Sequence, residues 1–140
     1  MKKLLAVLTD GLRFGVLVTG VSYGAFAAQT IIVDPAAEET ATTVKTLEAA
    51  FAKLANSGDT ILVRPGTYYL TQTLTNKVAN LIFKSADAVT GEIDRENTIL
   101  DGSQCPERAF YSNGKSKPTI NGFTFRNFTQ SGGAGGAVYL

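Results

Sequence analysis

Apolar residues alternate with other residues in a series of short runs, and clusters of turn-forming residues separate the runs. Ile61 with Val63, Leu81 with Phe83, and Phe123 with Phe125 each keep a period of two, which puts both members on one face of a strand. An earlier short strand is expected over Ile31 to Val33, stopped by Asp34-Pro35. One stretch has helical spacing instead. Val44, Leu47, Phe51 and Leu54 form a single apolar stripe, while Lys45, Glu48 and Lys53 lie off it. Thr42 or Thr43 can cap its start and Gly58 follows its end, so the pattern predicts a helix from Val44 to Ala55.

From Asp59 onward a strand, a corner and a second strand follow in quick succession. Ile61 to Val63 leads into Pro65-Gly66, where proline fixes φ and glycine accepts whatever φ the corner needs, and Thr67 to Leu70 resumes strand chemistry. Further strands are expected over Leu81 to Phe83, Thr98 to Leu100, Thr119 to Phe125 and Ala137 to Leu140, at intervals of roughly 17 to 21 residues. Their connections hold strand-like pieces of their own, such as Ala109 to Tyr111, which argues for the stacked rungs of a solenoid over hairpins. A β-sandwich is the structural rival. Asp101-Gly102 and Asn121-Gly122 suit corners, and Glu92 to Asn97 suits a solvated loop. The amphipathic helix would cover the open end of the apolar core.

The start of the chain reads differently. Lys2 and Lys3, the apolar stretch Phe14 to Val21 and the small residues of Ala25-Phe26-Ala27 fit a secretion signal over 1–27, cleaved before Ala28, although Asp10 and Arg13 interrupt it; a short buried helix is the alternative. Its apolar run is too short to span a bilayer. Of thirteen basic and twelve acidic residues, removal of Lys2, Lys3, Arg13 and Asp10 leaves ten and eleven, a net charge of −1. So balanced a surface argues against nucleic acid and offers no polybasic membrane patch. Cys105 is the only cysteine, so no intrachain disulfide forms, and without histidine nothing evident activates its thiol.

Several segments carry a resemblance. Thr46-Leu-Glu-Ala-Ala-Phe51 followed by Gly58-Asp-Thr-Ile-Leu-Val-Arg-Pro-Gly-Thr-Tyr68 resembles the N-terminal part of secreted right-handed parallel β-helix proteins of the pectin-lyase-like superfamily. Thr98-Ile-Leu-Asp-Gly102, Ile120-Asn-Gly-Phe-Thr-Phe125 and Gly135-Gly-Ala-Val-Tyr139 are similar to repeats of bacterial surface β-helix proteins, the last also to the Gly-Gly-Ala-Ile motif of polymorphic outer-membrane adhesins. The resemblance covers about residues 31 to 140. It implies an all-β, right-handed parallel β-helix with an N-terminal amphipathic capping helix: strand and cap over 28–58, first rungs over 59–140.

Lyases of that resemblance use clustered carboxylates around calcium and an arginine or lysine as base. Asp101 stands alone, and neither Arg64 nor Arg126 has an evident carboxylate set, so no catalytic, cofactor-binding or metal-binding residue is assigned. Aromatic rings offer another route to carbohydrate. Tyr69, Tyr111 and Tyr139 are candidates for an exposed ring surface, against the alternative that most of the thirteen aromatics stack in or cap the core. Asn127-Phe128-Thr129 matches a glycosylation sequon, a triplet common by chance. Ala137-Val-Tyr-Leu140 has no stop signal, and the chain is therefore expected to be the N-terminal part of a longer protein. The function expected is a secreted or cell-surface scaffold for binding or adhesion, with polysaccharide or host-surface glycans as partners. The alternative is a polysaccharide lyase or glycoside hydrolase whose catalytic rungs lie beyond Leu140.

Overall fold

The computed structural model describes residues 27–105, 107–114, 116–130 and 136–140. The expected secretion signal lies outside the described residues except for Ala27, as does Gly135 of the glycine-rich motif. The described chain is mainly β. Short strands β1 (Thr30–Val33) and β2 (Thr43–Val44) precede a six-residue helix α1 (Leu47–Ala52), and nine further strands follow it. These are β3 (Thr60–Val63), β4 (Gly66–Tyr69), β5 (Leu74–Asn76), β6 (Ile82–Ser85), β7 (Thr98–Asp101), β8 (Phe110–Ser112), β9 (Thr119–Asn121), β10 (Thr124–Arg126) and β11 (Val138–Tyr139).

All the strand pairs are parallel, and they form three sheets. The first has the order β2-β1-β3-β6-β9, the second β10-β7-β4 and the third β11-β8-β5. From β3 onward the chain visits first, second and third sheet in turn, three times over. Each such passage is called a coil below. In-register pairing stacks the inward side chains of successive coils. Ile31, Ile61, Phe83 and Ile120 form one column, Tyr68, Leu100 and Phe125 a second, and Leu74, Phe110 and Val138 a third. The first three members of the first column and the first two of each other column are buried; Ile120, Phe125 and Val138 are half-buried.

Helix α1 is shorter than its apolar spacing predicts, because the backbone of Val44 is already committed. It pairs with Val33, and its carbonyl accepts from the Asp34 N–H at 2.9 Å. The cap is Thr46, extended at φ −126° and ψ 155°, whose Oγ1 accepts from the Ala49 N–H at 3.2 Å. The apolar stripe still does its packing: Leu47, Ala50, Phe51 and Leu54 are buried. The Phe51 ring meets Phe83 edge-on at 5.3 Å and Phe110 at 6.0 Å. Where the helix ends, Asp59 gathers the chain. Its buried carboxylate accepts N–H bonds from Ala55 at 2.9 Å, Asn56 at 3.0 Å and Gln29 at 3.0 Å, tying the segment after α1 to the start of β1.

Three other expectations need correction. The span Thr119 to Phe125 is two strands in two sheets, broken at Gly122 with φ +80°. Leu81 to Phe83 is displaced to Ile82–Ser85, Leu81 being buried just ahead of it. The interval of roughly 17 to 21 residues is not the coil length, for Thr98 belongs to the second sheet and Val138 to the third, while Ile61, Phe83 and Ile120 belong to the first. Ile61 faces Phe83 22 positions on, Leu74 faces Phe110 36 positions on, and Phe110 faces Val138 28 positions on, so coils differ in length through their loops.

Candidate functional site

Around β5 the chain alternates strictly: Leu74, Asn76 and Val78 are buried, while Thr75 and Lys77 are exposed and Thr73 is half-exposed. The same parity in β8 buries Phe110 and Ser112 and turns Tyr111 outward, half-exposed; in β11 it turns Tyr139 outward. Register then decides which outward residues meet. Thr75 pairs with Tyr111, and Tyr111 with Tyr139. The two tyrosine rings stack with centroids 5.5 Å apart and planes 17° from parallel. Arg108 lies across both, its guanidinium carbon 4.8 Å from the Tyr139 centroid and 5.9 Å from that of Tyr111. Each ring face attracts the cation. Thr73 steadies this segment from the neighbouring coil, its hydroxyl donating to the Arg108 carbonyl at 2.9 Å and reaching Glu107 Oε2 at 3.3 Å.

A buried polar group behind the surface fixes that register. Asn76 Nδ2 donates to Ser112 Oγ at 3.3 Å and Ser116 Oγ at 3.0 Å, and its Oδ1 accepts from the Val78 N–H at 3.1 Å. The Ser112 and Ser116 hydroxyls also bond each other. Slipping β8 by one residue would strand the Asn76 amide opposite an aromatic ring and turn Tyr111 into the core. In front, Thr73, Thr75, Glu107, Arg108, Tyr111 and Gln130 enclose a shallow cleft of about 350 Å³. Aromatic surface beside hydroxyl, amide, carboxylate and guanidinium groups suits a ligand with apolar C–H faces and many hydrogen-bonding groups.

Of the three tyrosines named from sequence, the structure brings Tyr111 and Tyr139 together. Tyr69 is 54% exposed but stands on the second sheet, in register with Asp101. Thr73, Thr75, Glu107, Arg108 and Gln130 were not singled out from sequence. The sequence carried little signal for the threonines, because the alternation of buried and outward positions over 73–78 runs through the polar Asn76.

Asp101 and Arg126, read as an isolated acid and an unpaired base, are partners instead. Arg126 Nε donates to Asp101 Oδ2 at 2.6 Å. Asn127, in left-handed geometry at φ +61°, donates from Nδ2 to both carboxylate oxygens at 3.1 and 3.2 Å, and the Ser103 N–H donates to Oδ1 at 2.9 Å. The Asn127 amide of the sequon is thus held against the protein. Bonds from the Ser103 N–H and the Asn127 amide, opposed by burial, hold the Asp101 carboxyl well below the usual carboxylate range. With its oxygens occupied and its charge fixed, Asp101 is unsuited to general acid or base work near neutrality. Arg64 is spent on structure as well, donating to the carbonyls of Ala86 at 3.0 Å and Asp87 at 2.9 Å. Cys105 is buried. Among the described residues no three acids or cysteines converge as a metal site, and no helix is long and apolar enough to cross a membrane.

These carboxylates set an expected acid response. For Asp59, burial alone would raise the pKa, but N–H bonds from Asn56, Gln29 and Ala55 outweigh it; Asp87 is lowered by the N–H groups of Thr90 and Val89. A carboxyl with a lower pKa folded than unfolded stabilises above its unfolded value and loses that contribution as pH falls through the folded value. The urea midpoint should therefore hold steady from about pH 7 to 5 and drop below about pH 4. Asp59→Asn should lower the plateau and flatten the drop; an unchanged acid profile would refute the role given to Asp59.

Comparison with protein-family models, with curated proteins and with solved structures finds no match to the chain.

Proposed function

We propose that this chain belongs to a secreted or cell-surface protein built as a right-handed parallel β-helix, which binds glycans on the outer face of its third sheet without performing chemistry there. The observation that carries the reading is the Tyr111–Tyr139 stack crossed by Arg108. Two adjacent outward rings and the Arg108 guanidinium across them, set by strand register and flanked by hydrogen-bonding side chains, make a mixed aromatic and polar surface against which a sugar ring can lie. The cyclic order of strands through three parallel sheets supports the β-helix, and the strong preference of parallel crossovers for one hand supports the right-handed form. Helix α1, with Phe51 against Phe83 and Phe110, acts as the cap. Export is supported by Lys2, Lys3 and the stretch ending in Ala25-Phe26-Ala27.

A printed glycan array followed by calorimetry on the strongest hit tests the reading. Tyr139→Ala is expected to weaken binding about tenfold, near 1.4 kcal/mol, and Tyr111→Ala by a comparable factor, while Tyr69→Ala leaves it unchanged. Equal affinity in all four proteins would place any binding elsewhere.

A further inference from the structure

The tyrosine cleft is not isolated. A second depression of about 300 Å³ lies between α1 and β5, bordered by Glu48, Ala52, Gln72 and Lys77 together with Thr73 and Thr75. A third, of about 240 Å³, includes Gln72, Thr73 and Glu107. All three share Thr73, and the first two share Thr75 as well. Only short hydroxylated side chains therefore separate the tyrosine cleft from the helix-side cleft. Each cleft alone is at or near the lower end of the roughly 300–1,000 Å³ of a small-molecule site. From Tyr139 through Tyr111 to Thr75 is two steps across the sheet, about 10 Å at ~4.8 Å per strand, and the helix-side cleft continues in the same direction.

Resting on the glycan reading above, we infer that the ligand is an oligosaccharide chain that crosses the coils, passing over the saddle of Thr73 and Thr75 so that its far end lies between α1 and β5. The helix that covers the core then has a second role as a wall of the groove. Lys77 and Glu48 supply the polar groups of that distal end: an ammonium with three donors and a carboxylate that accepts. Their position beyond the saddle means that a mono- or disaccharide held on the tyrosines does not reach them. Affinity should then depend on chain length, and Lys77 should matter for long chains alone.

The test uses the whole chain and three defined series, from the monosaccharide to the hexasaccharide, of β-1,4-linked glucose, β-1,4-linked N-acetylglucosamine and α-1,4-linked galacturonate, with affinities from calorimetry. In the series that binds, the hexasaccharide is expected to bind at least tenfold tighter than the disaccharide. Lys77→Ala should weaken the hexasaccharide at least fivefold and leave the disaccharide unchanged, whereas Tyr139→Ala weakens both. Lys77 is exposed, so its loss leaves the core intact, which an unchanged thermal unfolding curve checks. Affinity that does not rise beyond the disaccharide, or a Lys77→Ala protein that binds the hexasaccharide as the parent does, overturns the extended groove and leaves the tyrosine platform standing. No binding in any series overturns both.

Discussion

Phe83→Ala is expected to remove about 3–5 kcal/mol of folding free energy, a large part of the roughly 5–15 kcal/mol that holds a typical domain. Phe83 has no exposed surface and sits where the core's rings converge. It stacks on Phe123 at 4.3 Å and on Phe110 at 6.2 Å, and takes the edge of Phe51 at 5.3 Å. Its loss would leave a cavity bordered by α1, β8 and the turn between β9 and β10, a helix, a paired strand and a turn between two paired strands that cannot all collapse inward. Phe125→Ala should cost less, because that ring is half-buried and meets its aromatic neighbours at 6.2 and 6.4 Å. Urea unfolding should rank Phe83→Ala below Phe125→Ala in stability, with Ile82→Ala within about 0.5 kcal/mol of the parent, since Ile82 points outward at 37% exposure. If Phe83→Ala does not fold, Phe83→Leu retains much of the volume and should still fall below Ile82→Ala. Equal stability of Phe83→Leu and Ile82→Ala would remove Phe83 from the centre of the core.

The second large effect is expected at Gly122, where two demands coincide. The backbone is left-handed at φ +80°, which costs a side-chain-bearing residue about 1–2 kcal/mol. A methyl group there would also overlap Ser85 Oγ and Ile93 Cγ2. Ser85 has little room to yield: it is buried, and its hydroxyl accepts from the Asp94 N–H at 3.1 Å. Gly114 separates the two demands. Its φ is +72°, yet a Cβ there meets nothing within 4 Å among the described residues. Gly114→Ala should therefore cost about 1 kcal/mol, and Gly122→Ala more than about 3 kcal/mol once overpacking is added. Equal midpoints for the two variants in urea would show that conformation alone matters and that β9 and the loop holding Ile93 do not meet as described.

The strand faces could be read from the sequence wherever two apolar residues alternate within a run, as Ile61 with Val63 and Thr67 to Leu70 beyond the Pro65-Gly66 corner. Strands that bury polar groups could not. Leu74-Thr-Asn76 offers one apolar residue, and Asn76 looks like a turn former until Ser112 and Ser116 appear beside it. β2 was hidden because Val44 fits a helical stripe equally well. The same limit applies to the surface. Tyr111 and Tyr139 are evident as candidates, but their contact depends on a register 28 positions apart that no regular interval announces, and Tyr69 differs from them only in the sheet its strand joins. Arg64 and Arg126 were read by charge, whereas their positions are fixed by what lies one coil away: two carbonyls and Asp101.

Unequal coil lengths divide the chain into positions that evolution can treat differently. Inside the columns a single inserted residue turns every following side chain of that strand to the wrong face, so length there is frozen. Between β6 and β7 the chain leaves the first sheet and joins the second through a loop whose tip, at Val89, is 93% exposed and whose root is held by Asp94 and Ile93. Insertions at that tip leave the pairing of Gly66 with Thr98 and of Thr60 with Ile82 untouched. Lineages of this protein can therefore diverge in loop length and loop content at the tip while the columns of the core keep the same count.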